Sequence, residues 1–396
     1  MTDRTAATAV PMTPPAVPHA PTSGGTTAAE TAAVDDRPYS PGLAGVVAGE
    51  TALALVDGEA GRLLYRGYPI GQLVEHGTFA AVAELLWTGT WDPSARLAAA
   101  PLTPAVEAAL RALPAEALPM DALRTAISAW GAAERLPAPP TVEQARRITA
   151  VAPTALAAWG RIRQGRDPLP PDPDLPIPGA FLQMLSGERP DEARTRALDA
   201  YFIVAAEHGF NASTFAARVI ISTRSDLASA VCGAIGALKG PIHGGAPTEV
   251  VSQLHEIGSA DRAEAWMRAA LDRHERLMGF GHRVYRAYDP RAAALRRVAE
   301  SMSDMADWLD LAVKVEDVAL RLLAERYPDR PLKTNVEYYT AAVLQGVRLP
   351  PEFYPATFAL ARNAGWTAHC VEQAAADRII RPDVRYTGPA ERDLPA

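Results

Sequence analysis

From Tyr39 onward, apolar residues recur at the three-to-four-residue spacing of amphipathic helices over most of the chain. The spacing predicts helices over 70–88, 104–113, 119–133, 142–160 and 194–209. Further helices are predicted over 211–221, 225–238, 246–258, 261–277, 290–302, 306–327, 334–346 and 355–376. One stretch ahead of them differs. ALALVDGEAGRLLYRGY holds two short strand-like runs around Asp57-Gly58 and reads as a small β-hairpin. Thr141, with Gln144 three residues on, has the pattern of a capping box. The segment DPLPPDPDLPIPG at 167–179 carries too much proline for a helix or a central strand, so a surface connection is expected. Residues 1–37 are Ala, Thr, Pro and Gly with few large apolar side chains, which predicts a disordered tail. The class is all-α with a minor N-terminal hairpin.

Composition narrows the picture by exclusion. A length of 396 residues suggests two domains, or one large domain with a smaller lobe. Hydrophobic residues make up 48% and charged residues 21%, ordinary for a globular enzyme. A net charge of −7, with no clustered Lys/Arg stripe, argues against a nucleic-acid partner. Only two cysteines occur, Cys232 and Cys370, both in apolar helical surroundings. They are expected to be buried free thiols, with no disulfide framework. No signal-peptide pattern opens the chain, and no apolar run approaches the ~20 residues of a membrane span. The expected location is the cytoplasm.

Chemistry gathers in a few segments. MGFGHRVYRAYDPR, at 278–291, sets Gly279 and Gly281 around Phe280 and follows them with His282 and arginines at 283, 286 and 291. Glycines let the backbone approach a ligand, and guanidinium forks suit carboxylate or phosphate. His243, in KGPIHGGAPTEV, falls at a turn before a helix. A helix N-terminus favours the neutral imidazole, which can donate a hydrogen bond to a developing oxyanion. No HExxH or paired Cys/His spacing accompanies it, so no metal is expected. His208, in EHGFNASTFAAR, lies between two helices with Asn211 and Ser213 as candidate caps. His369 reads as a packed helix histidine. Glu337, in KTNVEYYTAAVL, stands early in a helix among aromatics, where a carboxylate could have a raised pKa and act as a base. Arg362 and Arg381 interrupt apolar stretches and each implies a carboxylate partner, from the protein or from a substrate.

Taken in order, GVVAGETALALVDGEAGRLLYRGYPI, EHGFNAST, GPIHGG, GFGHRVYRAYDPR, NVEYY, RNAGW and RIIRP resemble the citrate synthase family, from about Leu43 to Gly388. The resemblance implies a mostly helical homodimer that condenses acetyl-CoA with oxaloacetate and hydrolyses citryl-CoA, without metal or redox cofactor. It also implies a large domain, here 38–245 and 346–396, and a small domain, 246–345, that closes over the substrates. By position, His243 is similar to the histidine that hydrogen-bonds the thioester oxygen, and His282 to the one that contacts the ketone of oxaloacetate. His208, Arg291 and Arg362 match the residues that hold its carboxylates, with Arg381 reaching in from a second subunit. Arg286, with Gly279 and Gly281, matches the coenzyme A contact.

Glu337 falls where the family usually has an aspartate as base. The extra methylene moves the carboxylate by about 1 Å, which uncompensated can cost on the order of 100-fold in rate. A helix set slightly back would retain citrate synthase activity. A different acyl pocket would suit propanoyl-CoA and a 2-methylcitrate synthase. A third alternative is a homologue that binds coenzyme A or oxaloacetate without turnover. Because every other motif is intact, a working enzyme is expected.

Overall fold

The computed structural model describes residues 38–241, 243, 246–282, 284–302, 306–389 and 391–394. The predicted tail at 1–37 and the arginine at 283 lie outside the described residues. The chain forms two compact units. One is Gly49–Arg381; the other joins the described residues of the terminal segments, 38–48 and those from 382 to 394. Within the terminal unit a short 3-10 turn spans Pro41–Leu43, and the Arg385 guanidinium lies over the Tyr39 ring.

Gly49–Arg381 opens with three antiparallel strands, β1 (Ala54–Asp57), β2 (Arg62–Tyr65) and β3 (Tyr68–Pro69). The predicted hairpin is therefore present and gains a short third strand. Helices follow: α1 (Ile70–His76), α2 (Phe79–Thr88), α3 (Pro104–Arg111), α4 (Pro119–Glu134) and α5 (Val142–Ile162). Next come α6 (Ile177–Ser186), α7 (Glu192–Ala205), α8 (Ala212–Ser222), α9 (Leu227–Leu238) and α10 (Ala246–Ile257). The last are α11 (Ala260–Asp272), α12 (Pro290–Glu300), α13 (Ala306–Arg326), α14 (Val336–Gly346) and α15 (Tyr354–Ala376). The all-α class holds.

Local chemistry sets most boundaries. The Thr141 hydroxyl accepts from the Gln144 amide while the Gln144 side chain accepts from the Thr141 N–H, which is the predicted capping box. Asp191, Asn211, Asp226, Asp289 and Asn335 each cap a helix with a side-chain oxygen. Two expectations need correction. The apolar run at 70–88 is two helices, because Gly77 ends α1 and Thr78 caps α2. The proline-rich segment is a connection only to Pro176. Ile177–Gly179 form the buried first turn of α6, where Pro178 is tolerated because an N-terminal turn needs no intrahelical N–H donor.

α15 packs against α2, α5, α7, α8 and α9. Among its buried residues are Arg362, Asn363, Trp366 and His369, so this helix threads polar groups through the core. A second group, α10 to α14, packs mainly within itself and meets α7 through α12 and α14. Cys370 is buried and Cys232 only half-buried; both are free thiols. Among the described residues no helix is long and apolar enough to cross a membrane.

Candidate active site

The site is built first on the C-terminal end of α7. Its last carbonyls carry the partial negative charge of the helix dipole. The Tyr65 hydroxyl donates to Glu207 O at 2.7 Å, and Arg362 Nε donates to Ala205 O at 2.6 Å. The Gly365 amide reaches Ala206 O at 3.1 Å. A Cβ at Gly365 would overlap both that carbonyl and the Glu207 carboxylate, so only glycine lets α15 approach this closely. His208 leaves this clamped end half-buried, with Nε2 at 3.2 Å from the Tyr285 hydroxyl.

Arg362 is 2% exposed. Its Nη groups make no hydrogen bond or ion pair with the described residues, although the guanidinium lies over the Phe358 ring at 4.6 Å. A buried guanidinium with two unpaired nitrogens is costly, and an anionic ligand would relieve that cost. Arg291 differs. It is 3% exposed and forked onto Asp289, Nε to Oδ1 at 3.1 Å and Nη2 to Oδ2 at 2.8 Å. Asp289 is itself fully buried, caps α12 through the Arg291 amide, and accepts the Val336 N–H at 3.1 Å. One carboxylate thus fixes Arg291 and the start of α14, leaving the Nη1 edge of Arg291 for a ligand.

The glycine loop is stitched to the same helix. Gly279 and Gly281 have φ of +87° and +81°, the left-handed region that favours glycine. Gly281 N donates to Lys333 O at 2.7 Å, Asn335 N to Gly279 O at 2.9 Å, and the Asn335 amide to Gly281 O at 2.8 Å. Asn335 also caps α14 by accepting the Glu337 N–H. His282 and Glu337 are therefore held in one frame. On the far side of the loop, Arg286 N donates to Gly58 O at 2.9 Å, so the hairpin turn pins the loop from below. The Arg286 side chain is exposed.

The two imidazoles have opposite tautomers. His282 Nδ1 accepts from the Val284 and Tyr285 amides at 3.0 and 3.1 Å, so its proton is on Nε2. His243 Nε2 accepts from the Ser213 amide at 3.2 Å, so its proton is on Nδ1. The Ser213 hydroxyl, 2.9 Å from His243 Nε2, also receives the Trp366 indole N–H at 3.1 Å. Each histidine presents one N–H donor away from its anchoring amides.

Electrostatics keep both rings neutral. Burial, then the Arg291 charge, lowers His282 to about 4. Burial, then Arg362, lowers His243. His208 falls well below its usual value through burial, Arg291, Arg362 and His282. Glu337 moves the other way. Protein surrounds it in a recess that leaves part of its surface accessible, and desolvation raises it to about 7 against the pull of Arg291 and Arg362. Among the described residues its carboxylate has no hydrogen-bond partner. The charge of Arg362 acts on His208, His243 and Glu337, and that of Arg291 on His208, His282 and Glu337. The arrangement can take a proton from a weak carbon acid while two neutral donors stabilise oxyanions.

Of the sequence candidates, His208, His243, His282, Arg291, Glu337 and Arg362 share this electrostatic neighbourhood, with Gly279 and Gly281 shaping its loop. Arg381 is exposed and pairs with none of the described residues. Ser213 is no helix cap but the anchor of His243. Sequence reasoning assigned no role to Asp289, Tyr285 or Trp366. Asp289-Pro290 does have the pattern of a cap followed by proline in the first turn. No group of three or more His, Cys, Asp or Glu among the described residues could hold a metal ion.

Known proteins resemble the chain over most of its length. The model of the citrate synthase C-terminal domain matches residues 42–383. A citrate synthase of Mycolicibacterium smegmatis is 40% identical over 368 residues, 89% of this chain and 96% of that one. A 2-methylcitrate synthase of Mycobacterium tuberculosis is 41% identical over 376 residues, 91% and 94% of the two chains. Citrate synthase from Thermoplasma acidophilum, solved as a ternary complex with carboxymethyl coenzyme A and oxaloacetate, superposes with a TM-score of 0.79. The identity is 28%, over 91% of this chain and 98% of that one. The chain belongs to the citrate synthase family and is an acyltransferase of that type.

Proposed function

We propose that this protein condenses acetyl-CoA with oxaloacetate and hydrolyses the resulting citryl-CoA to citrate and coenzyme A. The observation that carries the reading is the buried Arg362 guanidinium, whose two Nη groups have no hydrogen-bond partner among the described residues, acting with Arg291 on neutral imidazoles and on a carboxylate raised to about 7. Oxaloacetate supplies the two carboxylates that Arg362, Arg291 and His208 would hold. Glu337 takes a proton from the acyl methyl group. Nδ1–H of His243 donates to the thioester oxygen as the enol forms, and Nε2–H of His282 polarises the ketone. The new carbon–carbon bond gives citryl-CoA, and water then cleaves its thioester. Orientation of the two substrates can contribute roughly 7–11 kcal/mol.

The same reading makes the protein a cytoplasmic homodimer, with the partner subunit's Arg381 completing the carboxylate site. It makes 246–345 a lobe that closes over the substrates and excludes water from the enol. Arg286, exposed beside the glycine loop, would meet the coenzyme A phosphates. No cofactor beyond the thioester substrate is needed.

Free thiol should appear from acetyl-CoA only when oxaloacetate is also present. Tight binding of either substrate with no thiol release would instead support a ligand-binding homologue. The 2-methylcitrate synthase relative favours propanoyl-CoA as a second acyl donor. The two donors differ by one methylene, a difference worth about 1–3 kcal/mol in a pocket. A ratio of kcat/KM above unity for propanoyl-CoA would move the assignment to 2-methylcitrate synthase.

The pH profile is also defined. Glu337 must be ionised to accept a proton, so kcat/KM for acyl-CoA should fall about tenfold per pH unit below about 7. His282, at about 4, stays neutral through that range. A limb near 4.5 would mean that the base is not the desolvated Glu337.

A further inference from the structure

Behind the site lies a buried chain of charged and polar groups with no place in the steps above. Arg218 Nη1 bonds to His369 Nδ1 at 2.9 Å. Arginine can only donate, so His369 Nδ1 accepts and its proton is on Nε2. That Nε2–H donates to Glu207 Oε1 at 3.0 Å. The same Arg218 Nη1 also donates to Glu372 at 2.6 Å and Nε donates to Gln373 at 3.0 Å, while the guanidinium lies over the Phe210 ring. Its charge is compensated and its direction fixed. Both Glu207 and His369 are 0% exposed.

The chain ends on two groups of the carboxylate site. Glu207 Oε1 also accepts the Gly209 N–H, so the carboxylate of residue 207 reaches across His208 to the residue after it. With Tyr65 bound to the Glu207 backbone on the other side, the peptide bearing His208 is held at both ends. Glu207 Oε2 is buried, without a hydrogen-bond partner among the described residues, and faces Gly365 on α15. Arg362 stands less than one turn earlier on that helix, and the negative charge of Glu207 acts directly on it. Arg362, Trp366 and His369, at i, i+4 and i+7, lie on one face of α15.

We propose that Glu207 and His369, braced by Arg218, are positioning residues that aim His208 and Arg362 at the dicarboxylate substrate. A deep carboxylate holds the imidazole's peptide and attracts the guanidinium, and a neutral histidine keeps that carboxylate from rotating. The proposal rests on the reading of Arg362 and His208 as the oxaloacetate-holding pair.

The test is calorimetric titration of the full-length protein with oxaloacetate alone, alongside steady-state kinetics. His369→Ala should weaken oxaloacetate binding about 10- to 100-fold, the loss seen when a partner that orients a metal ligand is removed. The KM for acyl-CoA at saturating oxaloacetate should stay within about twofold, because the relay does not touch that side. His369→Gln, whose amide can still donate to Glu207, should restore most of the affinity. If His369→Ala fails to fold, Glu207→Gln carries the same expectation of weaker oxaloacetate binding with unchanged acyl-CoA KM. Wild-type oxaloacetate affinity in these variants, or an equal loss for both substrates, overturns the relay. A wild-type protein that neither binds oxaloacetate nor releases thiol overturns the functional reading itself, and the relay with it.

Discussion

Glu337→Gln should lower condensation turnover by about 10²- to 10⁴-fold, the span that removal of a general base costs, while making the folded protein more stable. The two effects share one cause. Desolvation holds the Glu337 carboxyl near 7, above its ordinary value of 4.5, so ionising it in the native state costs free energy that the unfolded chain does not spend. Glutamine has nearly the same shape and no charge to desolvate. At pH 8 the variant should be more stable by about 1–3 kcal/mol. The sign fixes the pH window. Above about 7 the wild-type carboxylate is ionised in both states and the deficit is full. It shrinks as pH falls towards 4.5, where native Glu337 is already neutral. Melting curves and thiol-release assays at pH 5 and pH 8 check both parts. Near-normal turnover in the variant would remove Glu337 from the role of base, whatever its effect on melting.

Asp289→Ala should destabilise the protein by about 3–5 kcal/mol and lower Tm by roughly 5–10 °C. Few single changes in this molecule break so much. Arg291, 4% exposed at its side chain, would lose both arms of its fork and become an uncompensated buried charge. α12 would lose its cap and the Val336 N–H at the start of α14 its acceptor. Activity should fall with stability, because Arg291 and the helix bearing Glu337 are set by the same carboxylate. Asp289→Asn is the milder companion. It keeps an oxygen for the cap but removes the charge opposite Arg291, so its loss should be smaller in Tm and still marked in oxaloacetate KM. Wild-type melting in the alanine variant would show that Arg291 finds another partner, and the shared-anchor account of the two helices would be wrong.

Both expectations rest on contacts that the sequence announced unevenly. Apolar spacing placed the helices, because burying one face is a local demand that a short window of residues records. The capping box at Thr141 and the hairpin at Asp57-Gly58 were legible for the same reason. Where a short-range pattern had two outcomes, it failed. Leu175 and the residues at 177–179 read as proline-rich loop, yet Leu175 is buried and 177–179 start a buried helix, because a neighbouring surface was there to cover them. Gly77 breaks the 70–88 run although the apolar spacing continues across it.

The site divides along the same line. Residue types alone nominated His208, His243, His282, Arg291, Glu337 and Arg362, since buried arginines and glycine-flanked histidines are rarely placed without a partner. Their order along the chain also carried the family resemblance, because the motifs are contiguous. The sequence suggested a neutral His243 and a raised Glu337, but only the tertiary structure decided where each proton sits. Which nitrogen of His243 and His282 holds the proton depends on amides at 213, 284 and 285, the first of these 30 residues away. It also separated the two arginines: Asp289 neutralises Arg291, while the two Nη groups of Arg362 find no hydrogen-bond partner among the described residues. A sequence window records what a residue can do beside its neighbours. Desolvation and through-space charge, which set the working state of Glu337, belong only to the folded chain.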